Sequence, residues 1–278
     1  MSKIFLRFPE GKEKALTLSY DDGVEQDRKL LEIMKQYGLK GTFNLNSGQY
    51  AMEGTVHPQG QIHRRMTEKQ ISNLFQNSGQ EIAVHSLTHP FLDQLPTAMV
   101  VKEIIEDREN LEKQFNTIVR GMAYPYGVFS DAVVATLQAC GIVYSRTVEA
   151  THDFRIPQDW MRLSSTCHHG VPELMDLAKK FVEDKVDRAP YLFYLWGHSY
   201  EFEANDNWYV IENFSKYVGN REDIWYATNI EIYEYVKAYE QLIFSANGKL
   251  IKNPTNTTIW LKIEEDMIQI KAGVTVIL

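Results

Sequence analysis

Two adjacent carboxylates, Asp21 and Asp22, follow an apolar run of strand length, Ala15 to Tyr20, and are themselves followed by Gly23. Side chains alternate across a strand, so the two acids point in different directions; one can hold a cation while its neighbour handles a proton. Asp-Asp-Gly is also an ordinary turn or helix-cap sequence, so the pair carries weight only in company. That company is His85-Ser-Leu-Thr-His89. A spacing of four puts both imidazoles on one side of a helical turn, where they can grip one zinc ion. In the zinc-protease motif the residue after the first histidine is the general base, but here it is Ser86, which cannot serve, so the base must come from elsewhere.

Two further segments could complete a site. Ala123-Tyr124-Pro125-Tyr126-Gly127 reads as a tight loop able to aim a backbone N–H at an oxyanion. A late apolar run ends in Trp196-Gly197-His198, and the imidazole could act as general acid, although a hydrogen-bonded rim histidine is the blander reading. Cys167, His168 and His169 lie together at the end of another strand-like run; alternation would put Cys167 and His169 on one face and His168 on the other. Packing is the main expectation there, with a substrate contact by His169 behind it and a second metal or a cysteine nucleophile further behind.

These residues need a scaffold that gathers strand ends. Apolar runs alternate with helical periodicity: the strand at Ala15–Tyr20, a helical stretch with Leu30, Met34 and Tyr37 stopped by Gly38, and a strand at Gly41–Leu45. Thr67 with Gln70 resembles a capping box before Ile71, Leu74 and Phe75, and a strand follows at Glu81–Val84. A longer helix is expected over Thr97–Phe115, with Val101, Ile104, Ile105, Arg108 and Leu111 on its inner stripe. Strands are expected near Val119–Tyr124, Ile142–Ser145, Met161–Thr166, Tyr191–Trp196 and Ile224–Tyr226, giving seven or eight β/α units. With no glycine-rich dinucleotide fingerprint after the first strand, an α/β barrel is favoured over a doubly wound sheet. Residues 1–246 would form it. From Asn247 the texture changes, and Thr257–Ile263 with Met267–Ile270 reads as a hairpin, so 247–278 is expected to be a small β appendage packed on the barrel.

The 278 residues suit one main domain, and the net charge of -8 without a basic block argues against nucleic acid as the partner. No run of about 18 apolar residues offers a membrane span. Two cysteines, Cys140 and Cys167, are too few for a disulfide scaffold. The N-terminal stretch lacks the apolar core of a secretory leader, so a cytoplasmic location is expected.

Together, Ser-Tyr-Asp21-Asp22-Gly, His85-Ser-Leu-Thr-His89, Tyr124-Pro-Tyr126-Gly and the strand ending at His198 resemble, in order and spacing, motifs of the polysaccharide deacetylase family, also called the NodB-homology or carbohydrate esterase family four proteins. The likeness covers roughly Ala15 to His198. It implies a distorted (β/α) barrel and an acetylated carbohydrate as substrate. It further implies Asp21 as general base, Asp22, His85 and His89 as ligands of one divalent metal (zinc, with cobalt or another divalent ion as alternatives), the Tyr126 N–H in the oxyanion hole and His198 as acid. One departure stands out: the family's third motif carries an arginine, paired with the catalytic aspartate, where this chain has Ala123. Arg162 is the expected substitute, and Asp159 a candidate to orient His198. Trp196, Tyr124, Tyr126 and Tyr20 are candidate sugar contacts. An amidohydrolase of a small amide, as in allantoinase-like family members, and a catalytically silent carbohydrate-binding barrel are the competing functions; intact Asp21, Asp22, His85, His89 and His198 speak against silence.

Overall fold

The computed structural model describes residues 4–278. After β1 (Ile4–Arg7) the chain runs β2 (Lys14–Asp21), α1 (Asp27–Gln36), β3 (Gly41–Leu45), α2 (Glu68–Phe75), β4 (Glu81–Val84), α3 (Thr97–Phe115), β5 (Gly121–Ala123), α4 (Asp131–Ala139) and β6 (Tyr144–Ala150). Then follow β7 (Leu163–Ser165), β8 (Cys167–His168), α5 (Leu174–Glu183), β9 (Tyr191–Gly197), α6 (Tyr200–Ala204), α7 (Tyr209–Val218), β10 (Ile224–Tyr226) and α8 (Asn229–Glu240). The parallel strands lie in the order β7-β6-β5-β4-β3-β2-β9-β8. β7 and β8 are successive pieces of one segment, the first paired with β6 and the second with β9, so the two ends of the sheet meet there and a distorted barrel closes. Between them Thr166 donates its N–H to Tyr194 O at 2.9 Å. The distortion is greatest at β2: opposite β9, its free edge is shared by β10 along Lys14–Leu16 and by β3 along Leu18–Asp21.

Strand alternation in β2 sorts the layers. Leu16, Leu18 and Tyr20 join Leu30, Ile33 and Met34 of α1 in the main core. Thr17, Ser19 and Asp21 face the other way and are also buried, in a polar barrel interior where Thr17 donates to Asn229 Oδ1 (3.0 Å) and Asn44 Nδ2 donates to Ser19 Oγ (2.9 Å). The capping box at Thr67 and Gln70 forms as its sequence suggests. In α3 the inner face is Val100, Glu103, Ile104, Asp107 and Leu111, whereas Val101 faces solvent, so the buried stripe lies one residue from the expected one. β6 extends beyond the expected Ile142–Ser145 to Ala150, which brings Arg146 into the strand.

The C-terminal strands are β11 (Ile243–Phe244), β12 (Leu250–Lys252), β13 (Ile259–Ile263), β14 (Asp266–Ile270) and β15 (Thr275–Ile277). The β13–β14 hairpin falls where alternation puts it, but β1 joins it as a third strand, and β11, β12 and β15 make a second small sheet. A second apolar cluster, including Leu6, Phe8, Ile232, Tyr235, Leu261 and Ile263, seats these strands on α8; Tyr235 donates its hydroxyl to Arg7 O at 2.8 Å.

Gly121 marks a tight approach inside the barrel, since a Cβ there would overlap the fully buried Tyr144 ring, whose hydroxyl donates to Glu81 Oε1 at 2.6 Å. Gly121→Ala should therefore cost about 1–3 kcal/mol of stability, as overpacking does. Urea denaturation measures this, and an unchanged midpoint would show that the ring can yield.

Candidate active site

The C-terminal ends of β2, β4, β5 and β9 converge on one rim, where loops of a β/α barrel assemble their chemistry. Asp21 closes β2 and is 2 % exposed. It accepts from Asn44 Nδ2 at 2.8 Å and from Arg146 Nη2 in a short contact. Burial works to raise its carboxyl, but Arg146, His85 and His198 outweigh burial and hold it below the usual carboxylate range.

Arg146 is thus the partner that Ala123 cannot be. The two residues are direct register partners across β5 and β6, so the guanidinium has moved sideways by one strand at the same height, over the small side chain of Ala123. It is 1 % exposed, and its Cζ lies 4.2 Å from the centre of the Trp196 ring. The expectation for Arg162 is corrected: its guanidinium binds Asp131 (2.5 Å) and Asp159 (2.8 Å), and it lines a cavity of about 970 Å³ shared with Tyr191 and Leu192 at the far end of β9. Asp159 is occupied there, capping a helical turn through Met161 N and Arg162 N, and does not orient His198. A charged residue inside a strand-like run, at Arg146, was the signal available in the sequence.

Asp22 leaves the strand with φ of +86°. Its carboxylate and one nitrogen each from His85 and His89 lie within 4.8 Å of one another, a spacing that suits one cation. His85 Nδ1 donates to Ala123 O at 2.8 Å, which fixes the tautomer and leaves the Nε2 lone pair facing the site. Burial depresses both histidines, His89 to about 4, so both are neutral, as ligation requires. The donor set therefore fits a divalent ion. The helical turn expected for His85–His89 is replaced by a loop with positive φ at Ser86 (62°) and His89 (59°). Asn46 Nδ2 donates to His85 O and to Ser86 O, and Thr88 binds Glu103 through both N–H and hydroxyl (2.8 and 2.7 Å). The loop still sets the imidazoles edge to face, with centres 4.7 Å apart.

Tyr126 adopts φ of +57° in a turn that consumes the N–H groups of Gly127 and Val128 and not its own. Its ring is half exposed, meets His89 edge-on at 4.5 Å and stacks on Phe91 at 4.0 Å. Tyr124, in contrast, is buried with its hydroxyl donated to Met161 O, and Tyr20 is buried beneath His169, so neither is placed to touch a ligand. Trp196 is 8 % exposed, with Arg146 over its ring and His168 edge-on at 4.7 Å, and offers no free face to a sugar.

On the opposite side, His198 Nε2 lies 3.7 Å from Asp21 Oδ2, and Nδ1 lies 3.3 Å from Glu201 Oε1, one turn on in α6. Burial lowers the imidazole pKa, yet Glu201 and the two aspartates prevail and raise it. His168 Nε2 and His169 Nε2 both approach Glu201 Oε2, at 3.0 and 2.9 Å, because β8 ends at His168 and strand alternation no longer separates them. His168 Nδ1 accepts from Gly170 N–H, so its proton sits on Nε2 towards Glu201; His168, His198 and Glu201 also bring one ligand atom each within 4.8 Å of one another. His169 is 3 % exposed and faces Glu201 instead of a ligand. Burial pushes the Cys167 thiol up to about 12, which removes it as a nucleophile.

A family model described as polysaccharide deacetylase matches residues 9–145. Chitooligosaccharide deacetylases of Bradyrhizobium sp. and Sinorhizobium fredii are 26% and 27% identical over 152 and 148 residues, or 54% and 52% of this chain. The aligned parts amount to 60% and 59% of those relatives, so the chain spans about three fifths of their length. Among solved structures, a candidate polysaccharide deacetylase from Mycobacterium smegmatis shares the fold at 16% identity and TM-score 0.58, covering 84% of this chain and 94% of that one. A family 4 carbohydrate esterase from Streptomyces lividans, in complex with acetate, does so at 16% identity and TM-score 0.50, over 77% and 92%. Motif order and barrel accord with the family match, and residues 9–145, a little under half of the chain, are similar to the polysaccharide deacetylase family.

Proposed function

We propose that this domain hydrolyses an acetyl group from an N-acetylated, or O-acetylated, carbohydrate, using one divalent cation, zinc or cobalt, held by Asp22, His85 and His89. The observation that carries the reading is Asp21: a buried carboxylate kept ionised by Arg146, with the three-residue donor set on one side and His198 on the other. A binding protein has no use for a base so placed. When bound, the cation supplies Lewis-acid polarisation of the acetyl carbonyl and lowers the pKa of water.

The chain's own residues do the rest. Asp21 takes the proton of the attacking water. The Tyr126 N–H, free of its own turn, donates to the developing oxyanion, and one such donor is worth about 3 kcal/mol. His198, kept protonated by Glu201, gives its proton to the departing amine. The exposed Tyr126–Phe91 pair beside His89 offers an aromatic face for a sugar ring, in place of Trp196. The chitooligosaccharide deacetylases among its relatives make N-acetylglucosamine oligomers the first substrates to test. Acetate release from such oligomers with added zinc or cobalt supports the reading; no release from any acetylated saccharide, monomer to polymer, overturns it.

Asp21→Asn should keep its metal and lose about 100- to 10,000-fold in kcat, whereas His85→Ala should lose the metal. Metal analysis beside kinetics checks both, and equal metal loss would reverse the roles of the two aspartates.

The pH profile probes the two charge partners. Asp21 works ionised, and Arg146 holds its carboxyl down against burial, so Arg146→Met should move the acidic limb of kcat to higher pH. His198 works protonated, and Glu201 lifts it against burial, so Glu201→Gln should move the basic limb to lower pH. Limbs that stay in place would make both partners structural.

A further inference from the structure

Asp22 holds a backbone conformation that a non-glycine residue rarely adopts, and something must keep it there. The segment from Ala51 to Met66, between the end of β3 and α2, passes over this rim. It is fastened on both sides of Arg65: Met66 N–H donates to Gly23 O (3.0 Å), Glu25 N–H donates to Arg64 O (2.8 Å), and Val24 and Arg65 form an antiparallel bridge. Arg64 adds a fork onto Glu203 (2.7 and 2.8 Å) and a bond to Glu25 (2.8 Å).

We propose that Arg65 is a positioning residue for the metal-ligating carboxylate, gripping Asp22 by backbone and side chain at once, so that Oδ1 is held by the guanidinium and Oδ2, whose partner is the half-exposed His63, is the oxygen offered to the cation. The proposal rests on the reading of Asp22 as a ligand. Arg65 Nη1 donates to Asp22 O in a short contact, and Nη2 donates to Asp22 Oδ1 at 2.9 Å. Nη1 also donates to Asn46 Oδ1 at 2.7 Å, and Asn46 in turn holds the carbonyls of His85 and Ser86. One guanidinium thereby ties together the strand end that carries Asp22 and the loop that carries His85 and His89. His63 Nε2 approaches Oδ2 from the solvent side at 3.1 Å, its ring edge-on to Tyr200. A rigid planar fork makes this grip, and an ammonium cannot reproduce it.

Two effects of removing Arg65 oppose one another, and their signs differ. Losing a positive charge beside a dication would tighten metal binding, whereas losing the grip on a strained ligand would weaken it. The grip prevails in this account, because Arg65 fixes both the unfavourable φ and the carboxylate rotamer. The test is cobalt binding to the whole chain, by chelator competition and by the visible absorption of bound Co²⁺, for wild type, Arg65→Met and Arg65→Lys. Arg65→Met should raise the cobalt Kd about 10- to 100-fold and alter the absorption band at saturation, with Arg65→Lys between it and wild type. Thermal unfolding without metal reports whether each variant is folded, and Arg65→Lys keeps the test decisive if Arg65→Met is not. Unchanged or tighter binding, or a lysine variant equal to wild type, overturns the proposal. If wild type itself binds no cobalt, the metal reading falls and takes this inference with it; if wild type binds and the variants match it, only the inference falls.

Discussion

Two neighbouring carboxylates must both stay charged in a place that water scarcely reaches. Asp21 and Asp22 are 2 % and 7 % exposed, and an unpaired buried ion costs several kcal/mol. Each has its own guanidinium, and the two arrive from different directions because the carboxylates do not point the same way. Arg146 comes through the barrel interior from β6, and Arg65 comes from the segment that crosses the rim. The pairing leaves the two acids in different settings: Asp21 lies against Arg146 and near His198, and Asp22 lies beside His85 and His89 under Arg65.

Much of the barrel interior serves this arrangement. A cation inside a barrel packed only with aliphatic residues would be stranded, and β2 accordingly turns Thr17, Ser19 and Asp21 inward while sending Leu16, Leu18 and Tyr20 to the helices. Asn44 links Ser19 to Asp21. Trp196 lies against the Arg146 guanidinium, a cation–π contact that suits a weakly hydrated ion better than an aliphatic wall would. Across the rim a third carboxylate, Glu201, faces three histidines and, with the two aspartates, raises the pKa of His198 against burial. Asp21 and His198 are thus shifted in opposite directions by charges a few ångströms apart.

The resemblance to the polysaccharide deacetylases and the setting of Asp21 meet at one position, Ala123. With Ala123 in the position of the family's arginine, the needed charge enters from the register partner on the next strand, and the small side chain leaves room for it.

Local signals in the sequence determined the elements and the chemical inventory. The buried run before Asp21, the helix stop at Gly38, the capping box at Thr67 and the alternation of β13 are short-range patterns, and each formed where its residues dictate. The residues Asp21, Asp22, His85, His89 and His198 were singled out because four segments in this order and spacing jointly resemble a known family, although each segment alone has a plainer reading. Partners were not, because a partner is a matter of strand register and loop path. Arg162 was the expected match for Asp21; the extended β6 instead placed Arg146 beside the carboxylate, and Arg162 lies among Asp131 and Asp159. Tyr124, Trp196 and His169 have the composition of ligand contacts, yet packing buried them. The sequence by itself determined which groups could do chemistry and on which strands they ride; only closure of the barrel and the return of the 51–66 segment decided which charge faces which, since Coulomb energy depends on distances between residues far apart in the chain, 125 positions for Arg146 and Asp21.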